Sequence, residues 1–113
     1  DLFNGTIGLS GIYSSKWYFG SYMDDLVYNN STIDYLDQMP ADHPYVEKYR
    51  HCDIVLCCGQ GDWEQEAQQD TRRMQELLGY KNIPAWIDYW GGDAVHDWPW
   101  WRKQFPYFIS RLC

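Results

Sequence analysis

Basic side chains are scarce in this chain of 113 residues: 9 Lys and Arg stand against 16 Asp and Glu, a formal net charge of −7. Phosphate recognition needs clustered cations, and these are scattered, so a nucleic-acid partner is excluded and an anionic membrane surface is disfavoured. No apolar run is long enough to span a bilayer, and no signal-peptide pattern stands at the start. The sequence opens at Asp1-Leu2-Phe3 without an initiator Met, which leads us to expect a processed chain or a piece of a longer one. Cysteine is sparse too, and no Cys-x-x-Cys pair occurs among Cys52, Cys57, Cys58 and Cys113. The close pair is vicinal inside an apolar run, so its side chains point to opposite faces of a strand and make a poor metal site. We expect no metal, buried free thiols and a reducing, cytoplasmic compartment, with a bridge from Cys52 or Cys113 left open. Internal repeats and low-complexity segments are absent as well.

Aromatic residues, by contrast, are abundant. Seven Trp and ten Tyr in so short a chain, within a hydrophobic content of 45%, allow one domain with a real core. Such a surplus implies either a ligand-lining cleft or a face that packs on something else.

Residues 5–9, closed by Ser10-Gly11, form a short apolar run bounded by glycine and read as a buried strand. Residues 12–39 lose any clear period, so an irregular excursion is expected, with a helix over 32–38 capped by Ser31. Asp42 reads as the N-cap of a helix that carries Pro44 in its first turn and ends near Arg50. A second apolar strand, residues 53–58, stops at Gly59-Gln60-Gly61. The clearest helix follows over about 66–78, with Ala67, Met74, Leu77 and Leu78 on one side and Gly79 at C′. A third strand covers 83–90, and the last helix starts near Trp98 with a kink expected at Pro106. Strands alternating with helices imply right-handed crossovers and a parallel sheet, thin here and with an exposed edge.

In a parallel sheet the loops after consecutive strands lie on one edge. Gly59-Gln60-Gly61-Asp62-Trp63-Glu64 follows the second strand, and Gly91-Gly92-Asp93-Ala94-Val95-His96-Asp97 follows the third. A carboxylate from the first loop can therefore reach the imidazole of the second. A carboxylate bonded to one ring nitrogen fixes the tautomer and stabilises the imidazolium formed when the other takes a proton. Acid before histidine is the chain order of the α/β-hydrolases.

Three stretches carry a resemblance: Phe3-Asn4-Gly5-Thr6-Ile7-Gly8-Leu9-Ser10-Gly11, Gly59-Gln60-Gly61-Asp62-Trp63-Glu64, and Val95-His96-Asp97-Trp98-Pro99-Trp100-Trp101-Arg102. Together they resemble the C-terminal half of the α/β-hydrolase esterases of the esterase D and S-formylglutathione hydrolase type, a group that also includes enterochelin and mycolyl-ester enzymes. The resemblance implies a three-layer, partial α/β-hydrolase fold of parallel strands with crossover helices, residues 1–113 being the C-terminal part of one domain. It implies a serine carboxylesterase in which His96 is the base and Glu64 the acid, with Asp62 as the alternative acid and Asp93 as a more distant one. Asp97 is expected to cap the last helix.

One family feature is missing. The Gly-x-Ser-x-Gly elbow and the oxyanion-hole donors belong upstream of everything present here. Gly8-Leu9-Ser10-Gly11-Ile12 is a near miss that lacks the last glycine, so Ser10 is read as a decoy on the strand after the elbow. The chain alone is expected to be inactive and to self-associate through the surface that normally meets the N-terminal half. An ester substrate is implied, with no metal or organic cofactor. Trp17, Tyr18, Trp63 and Trp98 are the substrate-pocket candidates, the first two within the excursion, which also brings Tyr13, Phe19 and Tyr22. The alternative is a non-catalytic carbohydrate- or protein-binding module with a hydrolase-like fold, using Trp98, Trp100 and Trp101 as a stacking platform.

Overall fold

The computed structural model describes residues 3–112. Its elements run β1 (Gly5–Leu9), α1 (Lys16–Phe19), α2 (Asp25–Asn30), α3 (Thr32–Gln38), α4 (Pro44–Arg50), β2 (Asp53–Cys58), α5 (Gln65–Tyr80), β3 (Trp86–Tyr89) and α6 (Trp98–Leu112). The strands form one parallel sheet in the order β1-β2-β3, with Gly5 opposite Asp53, Leu9 opposite Cys57, and Val55 opposite Trp86.

The central strand β2 shows why the sheet needs helices on both sides. Its side chains alternate: Ile54 and Leu56 pack with Leu36, Val46, Met74, Leu77, Leu78 and Ile83 from α3 to α5 and the turn after α5. Val55 and Cys57 pack the other way with Phe108 of α6, joined by Ile7, Leu9, Trp86 and Trp90. The molecule is thus an α/β structure of three layers, and Val55, Cys57 and Phe108 are at most 1% exposed. Cys57 and Cys58 turn to opposite faces, the second toward Thr71 of α5. Among the described residues Cys52, Cys57 and Cys58 form no disulfide. The bridge considered for Cys113 lies outside the described residues.

Several local expectations change. The excursion over 12–39 is three short helices, and Asp70 of α5 pins its start. The Asp70 carboxylate, 1% exposed, accepts from the backbone N–H of Tyr13 at 2.7 Å, that of Ser14 at 2.9 Å, and Trp17 Nε1 at 3.0 Å. A buried acid in a helix is tolerated because all three donors are satisfied by it. His43, not Asp42, caps α4, its Nδ1 accepting from Tyr45 N–H at 3.0 Å.

Helix α5 runs through Gly79 and ends in a Schellman turn at Asn82, whose φ is 54°. There Ile83 N–H bonds the Leu78 carbonyl at 2.9 Å and Asn82 N–H bonds that of Gly79 at 3.2 Å. Because Ile83 belongs to that turn and Pro84 has no N–H for a ladder, the third strand starts only at Trp86. Helix α6 continues through Pro106 as one element.

Three outcomes test this packing. Asp70→Ala strands one buried and one partly buried backbone donor together with the Trp17 indole N–H, and should cost about 3 kcal/mol in urea unfolding. Burial also pushes the Cys57 and Cys58 thiols up. A raised folded-state value stabilises below the unfolded thiol's range and is lost above it, so stability should fall as pH rises past about 8.5. In the native protein a thiol reagent should label Cys52 and reach Cys57 and Cys58 only on unfolding.

Candidate active site

The loop after β2 and the loop after β3 are laced together by backbone bonds. Gln60 N–H reaches the Gly91 carbonyl at 3.1 Å, Gly61 N–H reaches Ala94 at 2.9 Å, and His96 N–H reaches Asp62 at 3.0 Å. So close an approach leaves no room for side chains: a Cβ at Gly59 would lie 2.1 Å from the Ala94 carbonyl oxygen, and one at Gly61 2.7 Å from that of Gly92. Trp63 then adopts φ 67°, an uncommon left-handed conformation for a residue with a side chain. The turn throws its indole outward, 82% exposed, and the next side chain, Glu64, inward at 0% exposure.

Glu64 sits at the N-cap position of α5, yet its side chain does not cap the helix. It reaches under the sheet edge instead. Oε1 accepts from Ser10 Oγ at 2.6 Å and from Gly59 N–H at 3.2 Å, and Oε2 lies 3.3 Å from His96 Nδ1. The last distance is at the loose end of a hydrogen bond.

His96 is partly open, its side chain 37% exposed. The Trp101 ring meets its imidazole edge-on at 5.0 Å between centroids. No protein group among the described residues bonds Nε2. His96 borders a shallow concavity together with Leu9, Ser10, Trp98 and Trp101. A deeper apolar cavity of about 350 Å³ lies elsewhere, against β1 and α5, lined by Thr6, Gly8, Tyr13, Tyr35, Leu56 and Met74 among others. It contains neither member of the acid–histidine pair, so depth and chemistry do not coincide here.

The remaining candidates are dispersed. Asp62 presents its backbone carbonyl to His96 N–H, and its exposed carboxylate has no hydrogen-bond partner among the described residues. Asp93 is exposed beside Gly91. Asp97 stands just before α6, where its side chain accepts from the adjacent Trp98 N–H at 2.7 Å and its backbone carbonyl accepts from Trp100 N–H at 3.2 Å, so Trp98 and Pro99 open the helix two residues after His96. Trp98 borders the His96 concavity, whereas Trp17 is tied to Asp70 and Tyr18 lines a separate hollow with Ile12, Phe19 and Val27. Ser10 is 5% exposed and engaged with Glu64, not presented to solvent. Residues that sequence reasoning missed as parts of the acid's surroundings are Gly59 and Trp101, the second donating from Nε1 to Ser10 Oγ at 3.0 Å. The Gly-x-Gly spacing before Glu64 hinted at the first, and nothing in the sequence pointed to the second. Among the described residues no group of three or more His, Cys, Asp or Glu could hold a metal ion, and no helix is long and apolar enough to cross a membrane.

The fold and site thus define an α/β protein with a buried carboxylate and a half-open histidine at the carboxyl edge of a parallel sheet. No protein-family model matches the chain, and no curated protein matches it. Among solved structures it is similar to a ferulic acid esterase, with a TM-score of 0.71 at 20% sequence identity over 98% of this chain and 42% of that one. The likeness is one of fold, and the chain spans less than half the length of that esterase chain. Because the loop contact at Gly59 has no slack, Gly59→Ala should destabilise the protein by about 2 to 3 kcal/mol in denaturant unfolding.

Proposed function

We infer that this chain is the acid-and-histidine part of an α/β-hydrolase domain, a serine carboxylesterase of the esterase D and S-formylglutathione hydrolase type. The observation that carries this reading is the Glu64–His96 pair, in which a fully buried carboxylate meets Nδ1 of a partly exposed imidazole whose Nε2 bonds no protein group among the described residues. In such a pair His96 Nε2 takes the proton of a serine hydroxyl as that serine attacks the ester carbonyl. Glu64 stabilises the imidazolium, and the same proton then goes to the leaving alcohol. Water, deprotonated by His96, releases the acid in the second half of the cycle.

The nucleophile and the oxyanion donors lie in a preceding segment of a longer polypeptide under this reading. The outer edge of β1 pairs with no strand among the described residues, exposed Phe3 stands next to it, and the apolar cavity adjoins it. Such an edge invites pairing, which supports a neighbouring strand from that segment and, in its absence, self-association. The free thiols support the reducing, cytoplasmic setting. The non-catalytic binding reading has in its favour the exposed Trp63 and Trp98, but it gives the buried acid no role.

Hydrolysis of short-chain p-nitrophenyl esters, with methyl ferulate as a second substrate because the structural neighbour is named for that acid, tests the proposal. We expect turnover by the longest natural chain containing this one and none by this chain alone. His96→Ala in the long chain should lower kcat on the order of a thousandfold or more. Activity unaffected by His96→Ala would overturn the assignment.

A further inference from the structure

Ser10 ends β1 with φ 54°, a left-handed conformation that costs energy for a residue with a side chain and persists only where its surroundings impose it. Its own N–H is held by the Cys57 carbonyl at 2.7 Å. The buried hydroxyl lies between two partners whose roles are fixed by their chemistry. The Trp101 indole N–H can only donate, and it donates to Ser10 Oγ at 3.0 Å. A carboxylate can only accept, so the hydroxyl proton is directed at Glu64 Oε1, 2.6 Å away. With Gly59 N–H on the same oxygen at 3.2 Å, Oε1 holds two donors and Oε2 is the oxygen left for His96 Nδ1.

We propose that Ser10 is a positioning residue for the acid–histidine pair. Its hydroxyl, polarised and aimed by Trp101, sets the rotation of the Glu64 carboxylate so that Oε2 accepts from Nδ1–H. That selects the His96 tautomer in which Nε2 is bare and able to take a proton. The proposal rests on the Glu64–His96 reading above and adds a control on it. Trp101 acts at both ends, since it also packs edge-on against the imidazole it indirectly orients. The near miss to a nucleophile motif thus has a different role: this serine is spent on the acid.

Long-range proton–nitrogen NMR of His96 at alkaline pH, in the longest natural chain containing this one, reads the tautomer directly. Wild type should show predominantly Nδ1–H, against the Nε2–H form that free imidazole favours in water. Ser10→Gly removes the hydroxyl and suits a positive φ, and Ser10→Ala removes it while keeping Cβ, so at least one should retain the wild-type amide spectrum. In each folded variant the ratio should move toward Nε2–H by about tenfold, the size expected when a charge-assisted hydrogen bond is weakened. A wild-type His96 in the Nε2–H form would overturn the pair itself. A wild-type Nδ1–H form left unchanged in a folded Ser10 variant would leave the pair standing and overturn the role of Ser10; a merely structural serine would lower stability without moving the ratio.

Discussion

A buried carboxylate must be surrounded by donors, and this requirement on Glu64 organises one edge of the molecule. Its donors come from three separate places: Ser10 at the end of β1, Gly59 at the end of β2, and His96 in the loop after β3. An isolated buried charge would be strongly unfavourable, so satisfying it ties the ends of all three strands to one point. The same arrangement that makes the acid tolerable also holds it against the imidazole. Structure and candidate chemistry therefore share one constraint.

Backbone geometry makes that convergence reachable. Glycine at 59 and 61 lets the two loops touch main chain to main chain, and the left-handed turn at Trp63 reverses the side-chain direction so that a large indole faces water and Glu64 faces the sheet. Strain at Ser10 and Trp63 sits on either side of the carboxylate. Sparsely populated conformations of this kind survive where neighbouring bonds over-determine them, as the lacing from Gln60 to His96 does here.

The layers below the edge explain why the site is rigid on one side and open on another. Helix α6 begins at Trp98, two residues after His96, and delivers Trp101 to Ser10 and Phe108 to the core under β2. The opposite layer is fixed by Asp70, which holds the entry to the helical excursion on α5. Beyond β1 the sheet edge is unpaired among the described residues, and there the apolar cavity and exposed Phe3 lie.

The three parallel strands were legible because runs such as Asp53-Ile54-Val55-Leu56-Cys57-Cys58 are apolar on both faces, and the topology follows from their alternation with helices. The pairing of Glu64 with His96 could also be reached, because parallel strands bring consecutive loops to one edge. Ends of elements were harder: a Schellman turn at Asn82 or a cap at His43 depends on which backbone groups neighbouring segments leave unsatisfied. The fate of individual aromatics was not legible either, since Trp17, Trp63 and Trp98 share a residue type but meet Asp70, solvent and the His96 concavity. By itself, then, the sequence determined the α/β class, the parallel sheet and the short set of carboxylates within reach of His96. Only the tertiary structure decided that Glu64 is buried while Asp62 is not, and that Ser10 and Trp101 lie against the acid, because hydrogen bonds between residues 54 and 91 positions apart exist only once the three strand ends meet.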